Sequence, residues 1–214
     1  MMSRLCATDV AYRRGGRTVL DGVSLSVAGG EIVAVLGPSG SGKSSLLAVL
    51  AGLEPPDTGS VSLDDAPLRA GDATQRLRFG LVLQGYGLLT LLTAAESVEV
   101  ALQARGVFGE EARWLADDAL ARLDLDGISG KLVEKLSGGQ QQRVAIARAL
   151  VTQPDVVLAD EPTAELDHGT QEVVLTSLRA AADRGAAVVV ATHDPEVAMR
   201  CDRELRFHEG RLEG

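Results

Sequence analysis

Aromatic side chains are scarce: one Trp, two Tyr and three Phe make up 3% of the 214 residues. A core without them has to be packed from Leu, Val and Ala, and the 45% hydrophobic content is enough for a sizeable interior. Cysteine is nearly absent. Cys6 and Cys201 stand too far apart in sequence to suggest a disulfide framework or a metal site, so both read as reduced, buried thiols of a cytosolic protein. Basic charge is in deficit, with 21 Lys and Arg against 30 Asp and Glu, for a net charge of −9. That argues against a general nucleic-acid binder relying on a basic surface, though not against a local basic patch. No apolar run approaches the roughly 18 residues that cross a bilayer. Direct bilayer insertion is therefore not expected, and any work at a membrane needs another chain to cross it. Arg4, Asp9, Arg13 and Arg14 interrupt any apolar leader. Internal repeats, low-complexity tracts and a trailing regulatory segment are not expected either. The length suits one large domain, or a core with one inserted subdomain.

Against these absences, one stretch stands out: Gly37-Pro38-Ser39-Gly40-Ser41-Gly42-Lys43-Ser44-Ser45. It fits Gly-x-x-x-x-Gly-Lys-Ser, the phosphate-binding loop. The apolar run 32–36 reads as a buried strand feeding it. Residues 44–53 read as a helix leaving it, with Leu46, Leu47 and Leu50 toward the sheet. Glycines at 37, 40 and 42 let the backbone curl round an anion, so that successive N–H groups and the helix start point inward. Lys43 is placed to reach β- and γ-phosphates, and the Ser44 hydroxyl to bind Mg²⁺.

Upstream, residues 3–12 and 18–27 read as strands joined by the hairpin signal Arg14-Gly15-Gly16-Arg17. Tyr12 lies at the end of the first, either as an edge-strand aromatic or as a ring that stacks on a purine base. Downstream, residues 54–59 break the helix, 60–63 form a short strand, and 66–78 are polar and unassigned. Residues 79–83 are a strand ending at Gln84, on the carboxyl side where ligands of open α/β sheets sit. Residues 93–105 and 110–123 read as two helices. The second carries Trp114, Leu115, Ala119, Leu120 and Leu123 on one side, with Trp114 as packing anchor. We read 88–137 as a helical subdomain inserted into a nucleotide-binding core, 1–87 and 138–214, with its outer face suited to a partner.

Leu136-Ser137-Gly138-Gly139-Gln140 opens a helix running to Val151, with Ser137 as N-cap and Val144, Ala147, Leu150 and Val151 as its buried stripe. Exposed N–H groups there favour an anion, and a plain capped turn is the equal alternative. Val156-Val157-Leu158-Ala159-Asp160-Glu161-Pro162 reads as a buried parallel strand with acids at its ligand end. A buried acid needs a partner, and Mg²⁺ suits Asp160. Glu161, held extended by Pro162, is free to deprotonate a water aimed at a γ-phosphate. Helix 169–184 and buried strand 186–191 follow. His193 lies at that strand's carboxyl end, within reach of a γ-phosphate or as a structural residue. A short helix, 196–201, and a closing hairpin end the chain, and His168 and His208 read as surface residues. The fold class is α/β: a phosphate-loop NTPase core with an antiparallel β-subdomain and a helical insert.

In this order the motifs resemble the nucleotide-binding subunit of ATP-binding cassette (ABC) transporters, over nearly the whole chain. The likeness rests on Tyr12, residues 37–45, Gln84, 136–140, 156–161, the loop Ala164-Glu165-Leu166-Asp167, and His193; the Leu-Ser-Gly-Gly-Gln run discriminates it from kinases and GTPases. The resemblance implies an ATPase that pairs head to tail, as a homodimer or with another cassette. Two ATP and Mg²⁺ would lie between the loop of one copy and residues 137–140 of the other. By that likeness Tyr12 stacks on adenine, Lys43, Ser44 and Ser45 serve the phosphates and metal, and Gln84 senses Mg²⁺ and the attacking water. Glu161 is the general base, Asp167 supports the dimer, and His193 contacts the γ-phosphate. It also implies a separate membrane-spanning subunit, contacted through the helical subdomain, and a cytoplasmic place on the inner face of the membrane. Within the family, 84–98, 141–150 and 158–163 look like the lipoprotein-releasing and macrolide-export branch, which includes a cell-division member that drives a membrane partner without clear transport. Thr90 stands where that branch has Pro, Glu96-Ser97 where it has Glu-Asn, and Gln141 where it has Glu. A nucleic-acid-associated ABC ATPase is the more distant reading, disfavoured by the acidic charge and the lack of long coiled coils or a second cassette.

Overall fold

Two sheets carry the chain, and the sequence periods differ between them. The computed structural model describes residues 5–164 and 166–213. Ser3 and Arg4, at the start of the expected first strand, and Glu165, in the expected loop before Asp167, lie outside the described residues. Strands β1 (Leu5–Arg14) and β2 (Arg17–Val27) form a hairpin in which Arg14 faces Arg17. Both central glycines take positive φ, 57° at Gly15 and 81° at Gly16, the turn whose twist matches that of the strands.

The elements then run β3 (Ile32–Leu36), α1 (Lys43–Leu50), β4 (Thr58–Leu63), β5 (Ala66–Pro67), α2 (Ala73–Arg76), β6 (Phe79–Val82), α3 (Ala94–Gln103) and α4 (Gly109–Ala121). After a 3-10 turn at Val133–Lys135 come α5 (Gly138–Leu150), β7 (Val156–Asp160), α6 (His168–Asp183), β8 (Ala187–Thr192), α7 (Pro195–Ala198), β9 (Arg203–His208) and β10 (Arg211–Glu213). The order in the antiparallel sheet is β2-β1-β4-β5, and in the second sheet β10-β9-β3-β8-β7-β6. In the second, β9, β3, β8, β7 and β6 run parallel, and β10 closes the edge antiparallel.

Parallel strands covered on both faces read as unbroken apolar runs, and β7 and β8 are buried at every residue. Alternate residues feed two cores. Val156, Leu158, Val189 and Val35 pack with Leu46, Leu47, Leu50 and the β1–β2 hairpin. Val157, Ala159, Val188 and Val190 pack with α5 and α6, in a cluster that also holds Val98 and Leu120 of α3 and α4. The sheet is thus the middle layer, and the carboxyl ends of β3, β6, β7 and β8 converge on one rim, where such sheets place ligands.

Several local expectations change. The first helix stops at Leu50, because Gly52 turns the chain at φ 64°. The unassigned stretch 66–78 contains β5 and α2, the latter capped by Asp72. Trp114 is no anchor: it is 66% exposed, while Ala112, Ala116 and Leu120 face inward on α4. Two residues from Ala112, it lies about 200° round the helix, and small alanines are what let α3 and α4 approach closely. Leu150 and Val151 are only partly buried, while Gln142, Ala145, Ile146 and Ala149 join Val144 and Ala147 inside. Cys6 and Cys201 are free but only half-buried, and burial pushes the Cys201 thiol up to about 11.

Close backbone packing explains one glycine with no motif around it. A Cβ at Gly80 would lie 2.3 Å from the Ala149 carbonyl oxygen, where β6 meets α5. Gly80→Ala should cost about 1–3 kcal/mol in a denaturant melt, whereas Trp114→Ala should stay within roughly 0.5 kcal/mol of the parent.

Candidate functional site

The loop after β3 is shaped by neighbours far away in sequence. Gly37 donates its N–H to Thr192 at 3.1 Å, and a Cβ there would sit 2.1 Å from the Phe207 carbonyl oxygen. Gly42 takes φ 108°, with a Cβ position 2.9 Å from the Val19 carbonyl oxygen. Strand β9 and the hairpin therefore hold the loop tight from behind, and only glycine fits at these two points. Gly40, at φ 80°, faces open space.

Helix α1 starts from this loop with no side-chain cap and no acid in its first turn. Its first N–H groups and the positive end of its dipole are left for an outside anion. The buried Ser41 hydroxyl also has no hydrogen-bond partner among the described residues. Pro38, Ser39 and Gly40 are exposed at the rim, and Ser45 is half-buried.

Lys43 folds back into the loop. Its Nζ donates to the carbonyls of Gly37 at 2.7 Å and Pro38 at 3.0 Å, and lies 3.7 Å from Glu161 Oε1. Only 5% of its side chain is exposed. The end of β7 supplies the acids. Asp160 is buried, and burial holds its carboxyl above the usual range; the Ser44 hydroxyl donated to it pulls the other way, Glu161 adds to the rise, and Lys43 opposes it.

Glu161 departs from the expectation of an extended residue: its φ is 48°, in the left-handed region. Such a conformation in a non-glycine residue costs on the order of 1–3 kcal/mol and persists where surroundings fix it. Here its N–H donates to Ala191 at 2.9 Å, Thr192 Oγ1 donates to Oε2 at 3.3 Å, and His193 Nδ1 lies 2.9 Å from Oε1. The left-handed turn breaks the direction of the strand and lets the carboxylate meet Lys43 and His193 together.

The structure thus brings together Lys43, Ser44, Asp160, Glu161 and His193. Thr192 was not singled out from the sequence; a hydroxyl next to His193 at a strand end was the available signal. Gln84 is exposed in the turn after β6, on the same rim, with no hydrogen bond to the cluster among the described residues. Tyr12 is 9% exposed and paired in register with Leu20, so its ring is packed in the core and little of it is open to a base.

Ser137 and Gln140 form a capping box at the start of α5: Gln140 N–H donates to Ser137 Oγ at 3.3 Å, and Ser137 N–H to Gln140 Oε1 at 3.1 Å. Gly138 and Gly139 are its first residues. Asp167 caps α6, accepting from Thr170 N–H at 3.0 Å and its hydroxyl at 2.8 Å, and these bonds hold its carboxyl below the usual range. No hydrogen bond or ion pair joins either helix start to the Lys43 cluster among the described residues.

The family model described as ABC transporter matches residues 20–164. An uncharacterised ABC transporter ATP-binding protein of Mycobacterium bovis is 43% identical over 205 residues, 92% of this chain and 62% of its own length. The macrolide export ATP-binding/permease protein MacB of Salmonella choleraesuis is 40% identical over 215 residues, 97% of this chain and 33% of its own length. The chain therefore spans between a third and under two thirds of these relatives. Among solved structures, the dimeric post-hydrolysis state of the ATP-binding cassette MJ0796 bound to ADP and Pi superposes with a TM-score of 0.91 at 38% identity, over 98% of this chain and 97% of that one.

Asp160 gives a signed pH test. A carboxyl raised above its unfolded value makes the fold lose stability as pH climbs from the ordinary carboxylate range through the raised value. Asp160→Asn should therefore raise the melting temperature of the nucleotide-free protein by a few degrees at neutral pH. That advantage should vanish in acid, when melts are compared across pH.

Proposed function

The chain belongs to the ABC transporter family and is an ATP-binding, ATP-hydrolysing cassette; from that premise we propose that it works as one of a pair, closing around two ATP and driving a membrane-spanning subunit of the macrolide-export type. The observation that carries the reading is the uncapped start of α1, wrapped in a glycine loop, with the ammonium of Lys43 lying 3.7 Å from the acid that ends β7.

Residues 37–45 bind the phosphates through backbone N–H groups, with Lys43 turning from its carbonyls and Glu161 toward the γ-phosphate. Loss of the Lys43 contact leaves Glu161 free to take a proton from water, and His193, already bonded to it, holds its orientation. Tyr12 is assigned the adenine-stacking role, for which its ring would have to leave the core packing it has here. Mg²⁺ keeps waters and substrate phosphates as most of its ligands, so few protein donors suffice. Asp160, Ser44 and Gln84 would hold it, and it would neutralise charge on the β- and γ-phosphates.

The second half of each pocket comes from the partner copy: Ser137, Gly138, Gly139 and Gln140 offer a second helix start, and Asp167 steadies the contact. Pairing explains why one chain carries two anion-type helix starts that do not meet within it. We read residues 1–87 and 138–214 as the nucleotide-binding core and 88–137 as the helical subdomain that meets the membrane subunit. Leu89 and Leu91, 67% and 82% exposed, support a partner at its edge. No helix is long and apolar enough to cross a membrane among the described residues. The likeness to an export protein that joins such a cassette to a permease supports a seat on the inner face of the membrane, held there by that partner.

Glu161→Gln should still bind ATP, hydrolyse it about 10²–10⁴ times more slowly, and collect as a dimer on size-exclusion chromatography with ATP. A variant that turned over normally would remove Glu161 from the role of base. Retention of full ATP affinity by Lys43→Ala would undo the phosphate assignment.

A further inference from the structure

Helix α5 is held by two arginines that donate to carbonyls rather than to acids. From its middle, Arg143 donates to Leu123 at 2.9 Å, Asp124 at 3.1 Å and Gly139 at 3.3 Å. Near its end, Arg148 donates Nη1 to the Gly87 carbonyl at 2.5 Å and Nη2 to the Tyr86 carbonyl at 2.9 Å. Burial lowers the Arg148 guanidinium from its usual range, and no carboxylate contributes a compensating rise. In a chain of net charge −9, a half-buried cation that passes over the acids for two consecutive carbonyls is holding a loop.

That loop carries Gln84. Its next three residues, Gly85, Tyr86 and Gly87, all take positive φ, at 80°, 64° and 58°. A run of left-handed residues that includes a tyrosine keeps its shape only where its surroundings fix it. The planar fork of a guanidinium, with two parallel N–H groups, suits two adjacent carbonyls in a way a lysine does not.

We propose that Arg148 is the positioning residue for Gln84, and that it couples the Gln84 loop to the helix starting at Ser137. This rests on the reading above, in which Gln84 and residues 137–140 serve nucleotides. From Gly138 to Arg148 the helix is a strut of about 15 Å. Arg143 ties the middle of the strut to the loop after α4, and Arg148 fixes its far end to the backbone just past Gln84. Any displacement of Gln84 on nucleotide binding is carried through the Tyr86 and Gly87 carbonyls to α5, and so to the half-site at Ser137. By linkage the influence runs both ways.

The test is a double-mutant cycle on steady-state ATP hydrolysis by the full chain, with ATP binding measured separately at equilibrium. Arg148→Ala should lower kcat about tenfold and leave ATP affinity within roughly twofold, and Arg148→Lys should recover only part of the rate. In a Gln84→Ala background, adding Arg148→Ala should change kcat by less than about twofold, because both act through one group. Multiplying losses in the double mutant, an unchanged kcat in Arg148→Ala, or a loss of affinity equal to the loss of rate would each overturn the proposal. Should Arg148→Ala fail to fold, Arg148→Lys carries the same cycle with the stem and charge retained. The parent's turnover and the Glu161→Gln trap are read with Arg148 intact. Their failure sinks the functional reading, whereas an additive cycle in an active enzyme sinks only the coupling.

Discussion

A single buried ammonium sets the terms for the rim of the parallel sheet. Lys43 has three donors and almost no access to water, so its charge needs protein partners. Two carbonyls of its own loop accept hydrogen bonds from it, and the Glu161 carboxylate lies 3.7 Å away as an ion-pair partner. At close to 4 Å and an effective dielectric near 20, such an ion pair is attractive by about 4 kcal/mol. Desolvation of the two charges offsets that by several kcal/mol. The arrangement is therefore a near-balance rather than a lock, and a polyanion entering the loop tips it. On the proposed reading, the same exchange that gives the phosphates a cation removes one from Glu161, so binding and readiness of the base become one electrostatic event.

That event depends on backbone that the apolar layers hold in place. Glu161 sits left-handed between a buried strand and a buried proline, tied through its N–H to Ala191 and through its side chain to Thr192 and His193. The loop is pressed against the Phe207 carbonyl on one side and the Val19 carbonyl on the other. Neither contact belongs to the site's own segment. Strand β9 and Val19 of the β1–β2 hairpin thus shape the loop from behind, and the rim inherits its rigidity from two cores with alternating membership in β7 and β8.

What could be read from the residues follows the range of the forces involved. Apolar runs and glycine pairs are local signals, so β3, β6, β7, β8 and the opening hairpin are legible almost to the residue. The set Lys43, Ser44, Asp160, Glu161 and His193 is legible too, because Lys43 and Ser44 close the glycine-loop motif that follows β3 and the other three stand at the carboxyl ends of β7 and β8. Tertiary packing is not local. Nothing around Trp114 says that alanines rather than the tryptophan face inward, since a helix-helix approach rewards small residues on the facing stripe. Nothing around Glu161 says that its φ is positive, and the following proline argues the opposite way. The grip of Arg148 on the backbone past Gln84 joins residues 61 and 62 apart in sequence, beyond any spacing rule.

The helix starts show how the chain divides its affinity for anions. Helices α3, α5 and α6 each satisfy an N-terminal donor with their own side chain, from Thr93, Ser137 and Asp167. Helix α4 lacks a cap but places Glu110 and Glu111 in its first turn. Helix α1 does neither, so within one chain the open demand for negative charge is strongest there. At α5 the capping box already uses the Ser137 oxygen and the Gln140 N–H, leaving Gly138 and Gly139 to approach a phosphate with backbone alone. On the paired reading the two contributions are unequal by construction. Helix α1 captures the nucleotide first, and the start of α5 adds a weaker contact that becomes worth making only once a phosphate is already held opposite it. Such an order makes closure of the pair a consequence of binding rather than a precondition for it.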